Sequence, residues 1–201
     1  MTRAIQLGIK RSFDVLAAAA LLVILSPLLL VMVLAIRLSS GTPILYRWNV
    51  VGKDGRPFVG YKFRTMVVGA DRLKDELLAQ NEMRGPVFKM ADDPRVTPIG
   101  KILRKFSLDE LPQLWSVLVG DMSMVGPRPP LQSEYARFTD SQKRKLSVTP
   151  GMTSLWQVSG KPRDLDEWVR LDLEYIERWS LWLDVKILFK TAWVVLTGKN
   201  Y

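Results

Sequence analysis

Asp109 and Glu110 are neighbouring carboxylates followed by Pro112, and they are the first residues in the chain that suggest chemistry. Proline is tolerated where a helix begins, because the first-turn N–H groups have no intrahelical partner. The run therefore predicts a helix start, with Asp109 near the N-cap and both carboxylates at the positive end of the dipole. The field there lowers a carboxylate pKa and keeps the group ionised, as a nucleophile or a Mg²⁺ ligand requires. It also favours phosphate. A plain N-cap with a first-turn Glu has the same sequence, so the cations nearby matter. Lys62 and Arg64 end a predicted strand, Arg104 precedes Asp109 by five residues, and Arg128 is fixed between prolines. Guanidinium forks bind phosphate through two bonds, and Lys adds a mobile point charge.

The alternatives are few, because the 201 residues include no Cys and no His. Disulfides, thiolate nucleophiles, cysteine zinc sites, Ser-His-Asp triads and His-based metal sites are excluded. Catalysis has to use carboxylates, Lys, Arg, Tyr, Ser/Thr or a metal held by oxygen. The 29 Lys and Arg against 20 Asp and Glu give a formal charge of +9. The cations are dispersed and no nucleic-acid-binding motif occurs, so anionic substrates or lipid are expected rather than nucleic acid.

The elements that must position these groups begin with an apolar run, Val15–Ile36, which carries no charge. As a helix it would be roughly 33 Å long, enough to cross a bilayer core. A spanning helix, a buried core helix and a kinked re-entrant helix all fit this run. Pro27 breaks it near the middle, and Ser26 can bond a freed carbonyl. Arg3, Lys10 and Arg11 precede the run, while Arg37, Arg47 and Lys53 follow it. Positive charge on both flanks favours keeping both ends on the cytoplasmic side.

Beyond residue 40 the composition is that of a mixed domain. Ile44–Val51 and Pro57–Thr65, separated by Asp54-Gly55, predict a β-hairpin. Ala70–Asn81 has helical spacing, and Gly85–Gly100 reads as an ordered loop. Short helices are predicted over Lys101–Phe106 and from Pro112 to Val119. Longer ones are predicted over Leu131–Lys145 and Leu165–Trp179. The amphipathic stretch Leu181–Leu196 fits either the membrane interface or the protein core.

Several motifs occur in order: Lys10-Arg11-Ser12-Phe13-Asp14, the Ser26-Pro27 break, Lys62-Phe63-Arg64-Thr65-Met66, Asp92-Asp93-Pro94-Arg95-Val96-Thr97, Ser107-Leu108-Asp109-Glu110-Leu111-Pro112-Gln113 and Gly120-Asp121-Met122-Ser123-Met124-Val125-Gly126-Pro127-Arg128-Pro129. Together they resemble the bacterial sugar transferases, monotopic polyprenol-phosphate phosphoglycosyl transferases, over essentially the whole chain. The resemblance implies an α+β fold. A re-entrant membrane helix broken at Ser26-Pro27 (residues 1–40) would precede a mostly helical catalytic domain (41–201) with a small β-hairpin and interfacial amphipathic helices.

It implies an enzyme of the cytoplasmic face of the bacterial inner membrane, which moves hexose 1-phosphate from a UDP-sugar to undecaprenyl phosphate and releases UMP. Asp109 would be the nucleophile that forms a covalent phosphosugar, and Glu110 a Mg²⁺ ligand. Arg104 and Arg128 would bind phosphate, with Lys62 and Arg64 in support. The segment from Pro150 to Lys161 resembles that of exopolysaccharide and O-antigen transferases, which points to UDP-galactose or UDP-glucose. Larger relatives carry an N-terminal membrane block, so the chain resembles a minimal catalytic unit. A homo-oligomer is compatible with this reading. A basic membrane-anchored scaffold without activity is the competing expectation.

Overall fold

The apolar run forms two helices, α1 (Arg3–Ile24) and α2 (Ser26–Ser40), meeting at 60° in the computed structural model, which describes residues 2–198. Pro27 lies in the first turn of α2, where its missing N–H costs nothing. The Ser26 hydroxyl donates to the Val23 carbonyl at 2.8 Å, taking up an acceptor at the end of α1. Among the described residues no single helix is long and apolar enough to cross a membrane; the bent pair together satisfies length and composition. One face of the pair is packed, with Ala18 and Ile36 fully buried. The other exposes Leu16, Val23, Ile24 and Leu38 by 70% or more. The described residues therefore do not enclose the pair as a buried core helix.

The hairpin forms as expected, with β1 (Leu45–Val51) antiparallel to β2 (Pro57–Phe63) and Trp48 opposite Gly60. Its connection is longer than an Asp-Gly turn. Residues 52–56 form the loop, with Asp54 and Gly55 both left-handed and the Gly52 N–H donating to the Arg56 carbonyl. The helix expected over Ala70–Asn81 is replaced by successive i→i+3 turns and a 3₁₀ segment, Asp75–Gln80. Leu73 and Leu78 remain exposed there. A short helix whose apolar face finds no partner is not stable as an α-helix.

Helix α3 (Pro98–Lys105) starts earlier than expected, because Pro98 occupies its first turn and the Thr97 hydroxyl caps the Gly100 N–H at 3.1 Å. A 3₁₀ segment, Leu108–Gln113, leads into α4 (Leu114–Val119), which ends at left-handed Gly120. Strand β3 (Ser123–Val125) pairs in parallel with β4 (Gly151–Thr153), a sheet too short to be legible as sequence. A side chain at Gly126 would meet the Thr149 carbonyl at 2.6 Å, so glycine permits this approach.

The single helix expected over Leu131–Lys145 is broken into α5 (Gln132–Tyr135), α6 (Asp140–Lys143) and a 3₁₀ turn, Arg144–Leu146. Local capping ends it early. The Glu134 carboxylate accepts the Leu131 N–H, and Thr139 with Gln142 forms a capping box at a new helix start. Helices α7 (Leu155–Val158), α8 (Leu165–Arg178) and α9 (Leu181–Thr197) complete the chain. Helix α9 buries Asp184 and Ile187 while exposing Trp182, Phe189 and Trp193, so one face packs on the core and the other does not.

Helices α1, α4 and α8 and strand β3 share one apolar core, centred on Ala18, Leu114, Val117, Met122 and Tyr175. Another joins α2 to β2 and α3 through Met32, Ile36, Phe63 and Leu103. The first forty residues are thus built into the cores of the remainder. A further cluster stacks Trp156 on Trp168, with ring centroids 4.7 Å apart.

Candidate active site

The site is built where strand β2 packs on the 3₁₀ segment that carries Asp109 and Glu110. Ser107, left-handed at φ 50°, redirects the chain out of α3. Asp109 and Glu110 therefore sit in the first turn of a 3₁₀ segment with Ser107 at its N-cap position, Asp109 being two residues further in than the expected cap. Both line a cavity of about 500 Å³ together with Lys62, Arg104 and Arg128. Lys62 Nζ donates to Glu110 Oε1 at 2.7 Å, and Arg128 Nη2 donates to the same oxygen at 3.0 Å. Trp48 supports both cations, its ring centroid 4.0 Å from the Lys62 ammonium and 5.5 Å from the Arg128 guanidinium. Arg104 Nε donates to the Thr65 hydroxyl at 2.9 Å.

The two carboxylates differ in their electrostatics. Burial opposes the charge on Glu110, but Arg128 and Lys62 outweigh it and hold the carboxyl below its ordinary range. For Asp109, burial raises the pKa and the Glu110 charge adds to it, against Lys62, Arg104 and Arg128. The expectation that both carboxylates are depressed by a helix dipole thus fails for Asp109. Desolvation and a neighbouring anion exceed a dipole of one short segment.

Arg64 also lines the cavity, but its hydrogen bonds do not go to the carboxylates. It is buried and donates to the carbonyls of Ser40, Gly41 and Thr42 at 2.5, 2.9 and 3.0 Å, closing the C-terminal end of α2. A buried guanidinium aligned on a helix terminus serves the fold, and it anchors β2, two residues from Lys62. Ser26 and Pro27 lie at the helix bend, as expected.

Further residues position Arg128. The Val125 carbonyl, three residues before it, accepts from Lys10 at 2.9 Å and from the Tyr175 hydroxyl at 3.1 Å. Both donors are tied to Asp184, at 2.6 and 2.7 Å. Asp14 accepts from the Ser123 hydroxyl and the Met124 N–H, and Arg11 donates to the Val117 and Leu118 carbonyls at the end of α4. The start of α1 thereby holds both the Arg128 loop and the helix behind Glu110.

Sequence reasoning missed Trp48, Lys89 and Lys161, all of which line the cavity. Burial, then the Arg163 and Arg128 charges, lower Lys89, while burial and the Arg128 charge bring Lys161 down to about 8. Lys89 could have been found by the argument used for Arg128, since it too sits in a proline-bounded segment.

Among the described residues no three acidic side chains converge as a preformed metal cage. A Mg²⁺ site needs less, because that ion keeps waters and takes one or two carboxylates together with substrate phosphate oxygens. Glu110 Oε1 is occupied by two cations, which leaves Oε2 and the Asp109 carboxylate. That donor set fits such an ion bound together with a diphosphate.

A cavity joining two carboxylates to Lys62, Arg104 and Arg128 suits a phosphorylated ligand. Comparison with known proteins agrees in kind. The profile of the family described as bacterial sugar transferase matches residues 5–198. The galactosyl transferase CpsE of Streptococcus agalactiae is 49% identical over 94% of this chain and 42% of its own length. The undecaprenyl-phosphate galactose phosphotransferase of Salmonella typhimurium is 45% identical over 94% of this chain and 40% of its own. The exopolysaccharide production protein ExoY of Sinorhizobium fredii is 43% identical, over 95% of this chain and 87% of its own. The chain spans about two fifths of the length of the first two. With the profile spanning nearly every described residue, the chain belongs to the bacterial sugar transferase family.

Proposed function

We propose that the protein transfers hexose 1-phosphate from a UDP-sugar to undecaprenyl phosphate, with galactose or glucose as the sugar. The observation that carries this reading is the pairing of Asp109 and Glu110 inside one cavity with Lys62, Arg104 and Arg128. An Asp109 carboxylate oxygen attacks the phosphorus that bears the sugar. The bond from that phosphorus to the bridging oxygen breaks, and UMP leaves with the electron pair. A phosphate oxygen of undecaprenyl phosphate then attacks the aspartyl phosphosugar, forming the lipid diphosphate sugar and freeing the carboxylate. Splitting the transfer lets one site serve a soluble donor and then a lipid acceptor.

The chain's own cations make the attack feasible. An anionic nucleophile is repelled by a diphosphate unless its oxygens are neutralised, and Arg104 and Arg128 supply fixed donors at the cavity wall. Glu110 keeps Lys62 and Arg128 oriented. Mg²⁺, held by Glu110 with Asp109 adjacent, would neutralise further phosphate charge when bound. The Asp109 pKa stays raised even against Lys62, Arg104 and Arg128, so the positive charge of a bound Mg²⁺ would add to these cations in favouring the ionised form.

The exposed apolar faces of α1, α2 and α9 support seating in one leaflet of the bacterial inner membrane, from the cytoplasmic side, as a re-entrant hairpin. Such a seat brings a polyprenol phosphate to the cavity without the donor leaving water. The start of exopolysaccharide or O-antigen assembly is the corresponding role.

The test is nucleotide release from detergent-solubilised protein given Mg²⁺, undecaprenyl phosphate and each UDP-sugar in turn. UMP from UDP-galactose or UDP-glucose, absent in Asp109→Asn, is the expected result. UDP as product would overturn the phosphosugar intermediate. Turnover near the wild-type rate in Asp109→Asn would overturn the nucleophile.

A further inference from the structure

A second cavity, of about 280 Å³, lies along the first turns of α1 and shares no lining residue with the carboxylate site. Four cations, Arg3, Lys10, Arg11 and Lys53, surround it against the single carboxylate of Asp14. Three of these charges are already used. Lys10 pairs with Asp184, Arg11 serves the end of α4, and Asp14 accepts from Ser123 and Met124. The side chains of Arg3 and Lys53 make no hydrogen bond or ion pair with any other described residue. Their charge borders a cavity with an apolar lining of Leu7, Met122 and Trp179. Uncompensated cations beside an apolar floor match an anionic amphiphile, with phosphate at the cations and hydrocarbon against the floor.

The depth agrees. Asp14, at the far end of this cavity along α1, is followed directly by Val15, where the uncharged run begins. The cavity therefore lies where the helix passes from polar to apolar, at headgroup level when the run is in lipid. Leu7, in its lining, is nearly half exposed, an apolar path for acyl chain.

We propose that this cavity binds an anionic phospholipid, its phosphate held between Arg3 and Lys53. The inference rests on the membrane seat proposed above but not on the transfer reaction. Lys53 stands at the tip of the β1–β2 hairpin, so the lipid would tie α1 to the hairpin that carries Lys62.

The protein is placed in nanodiscs of phosphatidylcholine alone, or with a third of phosphatidylglycerol, and thermal unfolding is followed by Trp fluorescence. Wild type should unfold several degrees higher with phosphatidylglycerol, and Arg3→Gln with Lys53→Gln should lose most of that gain. Arg37→Gln with Arg47→Gln removes equal charge beyond the other end of the apolar run and should keep it. Equal loss in both pairs, or no loss in the first, would mean diffuse attraction and overturn the site. Glycerol 3-phosphate reproducing the gain in phosphatidylcholine discs would assign the cavity to a soluble phosphate and overturn the lipid. UMP release is read in the same discs. Turnover lost with the lipid shift intact counts against the transfer reaction alone, and the reverse against the cavity alone.

Discussion

Asp109 and Glu110 are adjacent in sequence, yet neutralising them should change stability in opposite directions. Glu110 Oε1 takes both Lys62 and Arg128, with side-chain exposures of 13%, 14% and 21% for Glu110, Lys62 and Arg128. Glu110→Gln leaves two poorly solvated cations facing each other around one neutral oxygen. Breaking a buried pair costs ~3–5 kcal/mol, and the amide oxygen keeps one acceptor, so a loss of about 3 kcal/mol is expected. In a domain of this size that lowers Tm by roughly 6–12 °C.

Asp109 behaves in the reverse sense. Its pKa in the folded protein lies above the ordinary value, so its charge opposes folding at neutral pH, and that penalty disappears as pH falls through the raised value. The Glu110 pKa is depressed, so its contribution is full above the ordinary carboxylate range and is lost as pH falls towards the folded-state value. Asp109→Asn should therefore raise Tm at pH 7 while abolishing turnover, a stabilisation obtained at the expense of function. Both variants are melted beside wild type in one detergent at one scan rate, following Trp emission. Glu110→Gln melting within about 2 °C of wild type would refute the ion-pair account, given the expected sensitivity of Tm to stability. A fall in Tm for Asp109→Asn would refute the desolvation account.

Other measurements follow from the same geometry. The kcat/KM for UMP release, which reports the free enzyme, should fall on the acid side at a pH above the ordinary aspartate value, because a protonated Asp109 cannot attack; a limb at or below that value would contradict its raised pKa. KM for the UDP-sugar should rise as pH increases through about 8, where Lys161 loses its charge, and Lys161→Gln should flatten that rise. Arg64→Ala should cost about 2 kcal/mol or more, through three lost charge-assisted bonds, while the surviving enzyme keeps its donor KM. Single cysteines at Thr2 and Ser39, both exposed in a chain without Cys, should each be shielded from an impermeant thiol reagent on intact cells. Labelling at Thr2 alone would mean a spanning helix.

The sequence alone limited the chemistry by composition, since a chain without His or Cys leaves only carboxylates, cations and hydroxyls. It also determined the helix break at Ser26-Pro27, the hairpin and the helix end at Gly120, because proline geometry, strand alternation and glycine's left-handed freedom act locally. The tertiary structure decided what each charge does. Arg64 and Lys62 are two residues apart on one strand, and only packing against α2 and the Asp109 segment gives one to a helix end and the other to Glu110. Asp109 and Glu110 share a turn, and only their unequal access to Lys62 and Arg128 separates their pKa values. The helices expected at 70–81 and 131–145 failed for a related reason. Periodicity marks an apolar face, but whether a partner covers it, or a cap ends it first, depends on residues distant in the chain or on local bonds that compete with the helix.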